Sequence, residues 1–336
     1  MVRRKDGGFS MIAAEMYTNP HWIAMRLGVY TSRDGLYWDK KRTLRQSTGK
    51  FDGGPHSASW GPFFLHDPSN DTWMLSYVGY RSSPNNSSGW LANYDGKIYT
   101  RYASEAGDAG LDSDFGDGPG AFAADTILIG PDDFHVNGPW PHPCQGMQGT
   151  DSFYPFQLND GTWAGFAGTS QQQANANISS GKWPVSLATA PALQGPWTRW
   201  NPEDKTRPAD APCVDINGGR TENPIVSRRP DNPRSFHMVY DDLGGEGYGF
   251  GYACSEDGLH WSKGVNVAVH GGVRTPFGLL PLTESEKSAR KADILAAGVL
   301  NESTFDAANT SLQWAFYTAN RPGWEEFFAS IVQIKW

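Results

Sequence analysis

The sequence predicts an all-β fold, a five-bladed β-propeller, and three observations carry that expectation. Aromatic residues make up 13% of the 336 residues, with 14 Trp, 13 Tyr and 17 Phe beside 39 Gly and 23 Pro. Aromatic side chains pack well on a pleated surface, and Gly and Pro punctuate short strands with tight turns. A seven-residue cassette occurs twice, as Ser32-Arg-Asp-Gly-Leu-Tyr-Trp38 and Ser255-Glu-Asp-Gly-Leu-His-Trp261. One larger unit also recurs: an apolar strand, an Asp/Asn/Gly turn, a second strand rich in Tyr, Phe or Trp, and a third strand closed by the cassette or by Gly-Pro-Trp. A repeat of this kind is the sequence mark of radially repeated sheets.

The first copy holds Phe9–Tyr17 and Leu27–Trp38; the second holds Trp60–Leu65, a turn over His66–Asp71, Trp73–Tyr80 and Ile98–Ala103. The third runs through Thr150–Phe156, the turn Asn159-Asp-Gly161, Trp163–Gly168, Val185–Thr189 and Gly195–Trp200. The fourth spans Glu222 to Trp261. The fifth contains Arg274–Leu280, one helical segment over Glu284–Ala297, then Leu312–Tyr317 and Ala329–Trp336. Gly107–Gly149, rich in Gly, Asp, Pro and His, reads as a long loop over the rim or pocket mouth. In the cassette, Asp-Gly makes the turn and the Trp is expected to pack between neighbouring blades. A single domain over residues 1–336 accommodates all of this.

Charge and cysteine usage exclude several classes. With 28 Lys and Arg against 36 Asp and Glu, the net charge is −8 and no basic stripe is present, so nucleic acid is not an expected partner. No apolar run approaches the roughly 20 residues that span a bilayer. The expected state is a monomer. Cys144, Cys213 and Cys254 fit neither a zinc pattern nor a disulfide framework, and at most one pair can bridge. N-glycosylation sequons begin at Asn70, Asn85, Asn86, Asn177, Asn301 and Asn309. They suggest a secreted protein, although Met1-Val-Arg-Arg-Lys5 leads straight into a strand without a signal peptide. The alternatives are a cytosolic protein and a natural N-terminus other than Met1.

The chemistry-bearing positions open strands. Trp60-Gly-Pro62 opens the second unit, Thr150-Asp-Ser-Phe153 the third and Glu222-Asn-Pro224 the fourth, while Leu193-Gln-Gly-Pro-Trp197 closes the third. Read from the residues alone, the alternatives are a rim carboxylate at Glu222 and a strand-start cap at Asp151. In order and placement, these motifs and the two cassettes make the chain resemble glycoside hydrolase family 43 and its relatives over nearly its whole length.

That resemblance implies hydrolysis of arabinofuranosyl, xylosyl or galactofuranosyl linkages in cell-wall sugars with inversion. One carboxylic acid protonates the leaving oxygen and a carboxylate roughly 6.5–9.5 Å away activates water. Glu222 matches the family's general acid. Asp151 matches the acidic residue that orients it and disfavours its ionisation, as a like charge does. Sugars stack their C–H faces on aromatic rings and offer hydroxyls to polar groups. Trp60 and Phe153 are therefore expected in the pocket wall, and His56, His270 and Arg274 at hydroxyls, with Arg274 matching an arginine of the family's fifth blade. No cofactor is implied, beyond a structural Ca²⁺ near the centre in some relatives, close to where His270 would lie.

The implied base belongs on the first strand of the first blade. Met1-Val-Arg-Arg-Lys5 resembles the tail of that strand, which would put the base upstream of Met1. Asp6 falls at a hairpin tip and Asp67-Pro68 in a turn, which leaves Asp52 as the one candidate within the chain. A non-catalytic carbohydrate-binding propeller is accordingly the alternative reading.

Overall fold

The structure, a computed structural model, describes residues 1–4, 6–18, 24–50, 58–67, 69, 72–80, 96–103, 126–129, 147–171, 185–199, 221–242, 249–267, 273–296, 298, 300–305, 312–319 and 326–333. It contains two compact units, Met1–Asn223 and Pro224–Trp336. Among the described residues the strands form five sheets, each a meander of neighbouring strands in chain order.

In the first unit, β1 (Val2–Arg3), β2 (Phe9–Met16), β3 (Met25–Ser32) and β4 (Asp39–Gln46) form one sheet. The second consists of β5 (Ala58–Asp67), β6 (Thr72–Tyr80), β7 (Gly96–Ala103) and β8 (Thr126–Ile129). The third consists of β9 (Met147–Gln157), β10 (Trp163–Gln171), β11 (Val185–Ala190) and β12 (Thr198–Arg199). β13 (Thr221–Arg228) leads the fourth sheet, with β14 (Phe236–Asp242), β15 (Gly249–Ser255) and β16 (Val265–Val267). The fifth has β17 (Val273–Pro281), β18 (Leu312–Ala319) and β19 (Glu326–Gln333), with helices α1 (Glu284–Ala296) and α2 (Glu302–Phe305) between its first two strands.

β5, β9, β13 and β17 each lie at the edge of a sheet, and each contains a proline: Pro62, Pro155, Pro224 and Pro276. Proline cannot donate to a ladder, so an edge strand is where it is tolerated.

The core of the first unit lies between sheets. Ile12, Leu27, Val29 and Leu44 of the first sheet cluster with Phe64, Trp73, Leu75, Tyr77 and Tyr99 of the second. Ile98 joins Phe153, Ala167 and Ala188, and Met74 joins Trp163, Ala190 and Leu193, so the second sheet also packs on the third. Burying each large apolar side chain contributes roughly 1.5–3 kcal/mol. In the second unit Met238, Tyr240, Trp314 and Phe316 are buried. Gly251 pairs with Tyr240 across the β14–β15 ladder, and a Cβ there would meet the Tyr240 ring at 1.9 Å. Only glycine leaves room for that ring.

The two cassettes fold almost identically. Ser32 Oγ accepts from Gly35 N at 2.8 Å, and Ser255 Oγ accepts from Gly258 N at 2.8 Å. Asp34 Oδ1 accepts from Leu36 N and Tyr37 N, as Asp257 Oδ1 does from Leu259 N and His260 N. Trp38 Nε1 and Trp261 Nε1 donate to the Gly35 and Gly258 carbonyls, both at 3.0 Å. Both glycines have left-handed φ, 78° and 83°, as this turn requires. The Trp38 ring lies against Phe9 of its own sheet, 6.4 Å between centroids. Trp197 of the Gly-Pro-Trp element packs against the clusters joining the second and third sheets.

Helix α1 follows its sequence signature. Thr283-Glu-Ser-Glu286 is a capping box, in which Glu286 Oε2 accepts from Thr283 N (2.7 Å) and Thr283 Oγ1 from Glu286 N (3.3 Å). Trp314 Nε1 donates to Glu286 Oε1 at 3.1 Å and fastens the helix to β18.

The long loop expected over 107–149 is interrupted. Thr126-Ile-Leu-Ile129 forms β8 against β7, and β9 begins at Met147. A short β-branched run suffices where a neighbouring edge is free to pair. Of the sequon residues, Asn301 is described: it is exposed, and its Oδ1 caps α2 by accepting from Thr304 N at 3.0 Å. Asn70, Asn85, Asn86, Asn177 and Asn309 lie outside the described residues, as do Cys144 and Cys213, while Cys254 is a free, half-buried thiol.

Candidate active site

Four first strands lose their regularity at or beside a sequence-predicted residue. In β5, Trp60 pairs with Val78 and Phe63 with Ser76, so Gly61 and Pro62 interrupt the register, with Gly61 at φ 53°. In β9, Thr150 pairs with Thr169 but Ser152 with Gly168, which leaves Asp151 as the extra residue of a bulge. In β17, Val273 pairs with Ala319 and Thr275 with Thr318, and Arg274 is the extra residue. In β13, Asn223 follows Glu222 with φ 50°, a positive φ on a non-glycine residue. Bulges bend a strand and re-aim a side chain, and they cluster beside active sites. Left-handed backbone in a non-glycine residue likewise concentrates where function requires it.

Trp60, Asp151 and Glu222, on β5, β9 and β13, belong to the first unit. Their strands are tied laterally through Tyr154. Its ring meets Phe63 of β5 edge to face, with centroids 5.3 Å apart at 82°. Its hydroxyl donates to Asn223 Oδ1 of β13 at 2.8 Å. Tyr154 is buried, and a buried phenol needs such a partner. Glu222 is half-buried between the buried Thr221 and the Tyr154–Asn223 bond, and Trp60 is half-buried at the β5 bulge. The pair was not read from the sequence, because 69 positions separate its members. The Pro that follows Asn223 was the available signal, since a proline inside a strand marks an irregular position.

Phe153 is corrected from wall to core. It is 1% exposed, and its ring meets Trp197 edge to face with centroids 4.8 Å apart. A Cβ on Gly165 would come within 2.5 Å of it. The ring is enclosed by its own sheet together with Ile98 of the second and has no face to offer a sugar. Asp151 and Arg274 are placed by their backbones alone, and His56, His270 and Asp52 lie outside the described residues. Among the described residues no cluster of His, Cys, Asp or Glu is arranged to hold a metal ion, and no helix is long and apolar enough to cross a membrane.

Other carboxylates of the first unit are engaged in structure. Asp6 accepts from Gly8 N at 3.0 Å and pairs with Arg4 at 3.3 Å; the Gly8 bond, with Arg4 adding to it, holds its pKa below the usual carboxylate range. Asp67 is 2% exposed and accepts from Ser69 N and Ser69 Oγ, a turn cap as its Asp-Pro setting suggested. Glu15 is bound by Lys40, Tyr30 and Arg26. Burial alone would raise its pKa, but these donors together outweigh burial and lower it, while Tyr30 is pushed up by burial and by Glu15.

No protein-family model matches the chain, and no curated protein matches it. Solved structures do. An α-L-arabinanase of Penicillium chrysogenum complexed with arabinobiose is similar over 97% of this chain and 72% of its own, at TM-score 0.51 and 10% identity. An α-L-arabinofuranosidase of Fusarium graminearum is similar over 97% of this chain and 72% of its own, at TM-score 0.50 and 12% identity. A Hadza microbial sialidase is similar over 98% of this chain and 54% of its own, at TM-score 0.52 and 12% identity. Identities this low speak to fold alone, and the repeated antiparallel meanders agree with them: the chain has the fold of propeller-type glycosidases.

Proposed function

We propose that this protein is a glycoside hydrolase acting on arabinofuranosyl, xylosyl or galactofuranosyl linkages, with its five sheets as the blades of one propeller. The observation that carries the reading is the coincidence of Trp60, Asp151 and Glu222 with the irregular openings of three successive first strands, joined through Phe63, Tyr154 and Asn223. The shared fold with an arabinanase and an arabinofuranosidase supports the sugar class.

In this reading Glu222 gives its proton to the glycosidic oxygen as the bond to the anomeric carbon breaks and its electron pair stays on that oxygen. Asp151 keeps Glu222 oriented and favours its protonated form. Water adds to the opposite face of the sugar, losing its proton to a second carboxylate, and the configuration inverts. Trp60 supplies an aromatic face and Arg274 a fixed donor fork for hydroxyls.

Hydrolysis of a panel of nitrophenyl glycosides and cell-wall polysaccharides tests this. Arabinofuranosides are expected among the substrates, and Glu222→Gln is expected to lose about 10²–10⁴-fold in turnover where the leaving group is poor. A folded Glu222→Gln protein with unchanged rates refutes the assignment. Sugar binding without turnover by the unsubstituted chain would establish the binding-only alternative.

A further inference from the structure

We infer that Tyr154 and Asn223 form a positioning pair that aims the Glu222 carboxyl at the glycosidic oxygen. The inference rests on the reading of Glu222 as the acid and adds two residues that would act through Glu222, not on the sugar. Asn223 carries φ 50° immediately before Pro224. A residue preceding proline is steered away from helical backbone, and left-handed φ is tolerated chiefly by Gly, Asn and Asp. Such a conformation persists when its surroundings over-determine it. Here the surrounding is visible: the buried Tyr154 hydroxyl donates to Asn223 Oδ1 at 2.8 Å, and the Tyr154 ring is itself held by Phe63 at 5.3 Å.

The consequence for Glu222 follows from strand geometry. Side chains alternate strictly in a regular strand. In β13 that alternation is broken, because Pro224 and Ile225 are adjacent and both buried while Glu222 and Asn223 are both half-buried. The left-handed residue therefore turns the direction of Glu222 relative to the buried face. An acid must sit within hydrogen-bond reach of the oxygen it protonates, and displacement of about 1 Å can cost on the order of 100-fold.

The test compares the unsubstituted protein with Tyr154→Phe, Asn223→Gly, their double variant, Asn223→Asp and Glu222→Gln. The probes are α-L-arabinofuranosides with a dinitrophenyl leaving group, which departs without a proton, and with an alkyl leaving group, which needs one. Tyr154→Phe keeps the ring on Phe63, and Asn223→Gly keeps the backbone conformation accessible, so both are expected to fold. Each is expected to lower kcat on the alkyl glycoside roughly tenfold or more, with KM unchanged and the dinitrophenyl rate nearly unaltered. The double variant should be no slower than the slower single, and Asn223→Asp, which retains the acceptor, should recover most of the loss. Equal losses on both substrates, a change in KM alone, additive losses or no loss overturn the pair's role while leaving Glu222 as the acid. Unchanged alkyl-glycoside rates in Glu222→Gln, or no hydrolysis by the unsubstituted chain, overturn the acid itself and the pair with it.

Discussion

His237 shows how one buried side chain sets a pH limit on this fold. It lies on β14 with 1% of its surface exposed, its ring edge-to-face with Tyr252. Burial disfavours the imidazolium and the Arg229 charge adds to that, so its pKa falls from 6.5 to about 3. The sign follows from linkage. Below pH 6.5 the unfolded chain takes up a proton that the folded chain refuses until about pH 3, so stability is complete above 6.5 and is lost as pH falls. The loss from one such group is up to about 1.4 kcal/mol per pH unit. Urea unfolding across that window should show the slope, and His237→Gln should flatten it; an unchanged slope would mean that His237 is protonated in the folded state. At this scale the strand opening at Glu222 was legible, because a run into Asn-Pro is a local pattern and β13 does begin at Thr221. Asn223 as a partner of Tyr154 was not, because that bond is made by tertiary packing. Phe153 was misread for the same reason: its start-of-strand position is local, but the cover given by Trp197 and the space left by Gly165 are not.

Elements were legible wherever they are made of local chemistry. The cassettes are the clearest case, since Ser-x-Asp-Gly-x-x-Trp contains every donor and acceptor its turn uses. Asp34→Ala removes the acceptor of two backbone N–H groups, Leu36 and Tyr37. At about 1 kcal/mol for a typical net hydrogen bond, a loss of about 1–2 kcal/mol is expected in denaturant unfolding, and Asp257→Ala should cost a similar amount in its own sheet. Stability unchanged in both variants would show that the Gly and Trp alone hold these turns. The helix was legible through its composition, a stretch rich in Ala, Glu and Lys, and its capping box is seen only in the structure. β8 was not legible, because four residues carry no period and their pairing is decided by the free edge of β7. Of the bulges in β5, β9 and β17, the first had a signal that went unused. A proline inside each of these strands announces that the strand is an edge, and in β5 Pro62 lies within the break itself, whereas in β9 Pro155 keeps its register with Gly165 and gives no sign of the bulge at Asp151.

At the scale of the whole molecule, the fold is shared by an arabinanase, an arabinofuranosidase and a sialidase, so it does not select between neutral and anionic sugars. Charge does. The chain carries a net charge of −8, and two of its candidate site residues, Asp151 and Glu222, are themselves acidic. A field of that sign repels an anionic glycan during approach, and its reach is the Debye length, roughly 8 Å at physiological ionic strength. A neutral arabinofuranosyl chain feels no such repulsion. Hydrolysis of neutral arabinan is therefore expected to vary little between low and high salt, and sialyl-lactose is expected to be no substrate. Were an anionic glycan the natural substrate, added salt would screen the repulsion and kcat/KM would climb steeply with ionic strength. Sialyl-lactose cleavage accelerated by salt would therefore overturn the choice of a neutral sugar while leaving the fold and the proposed acid at Glu222 in place.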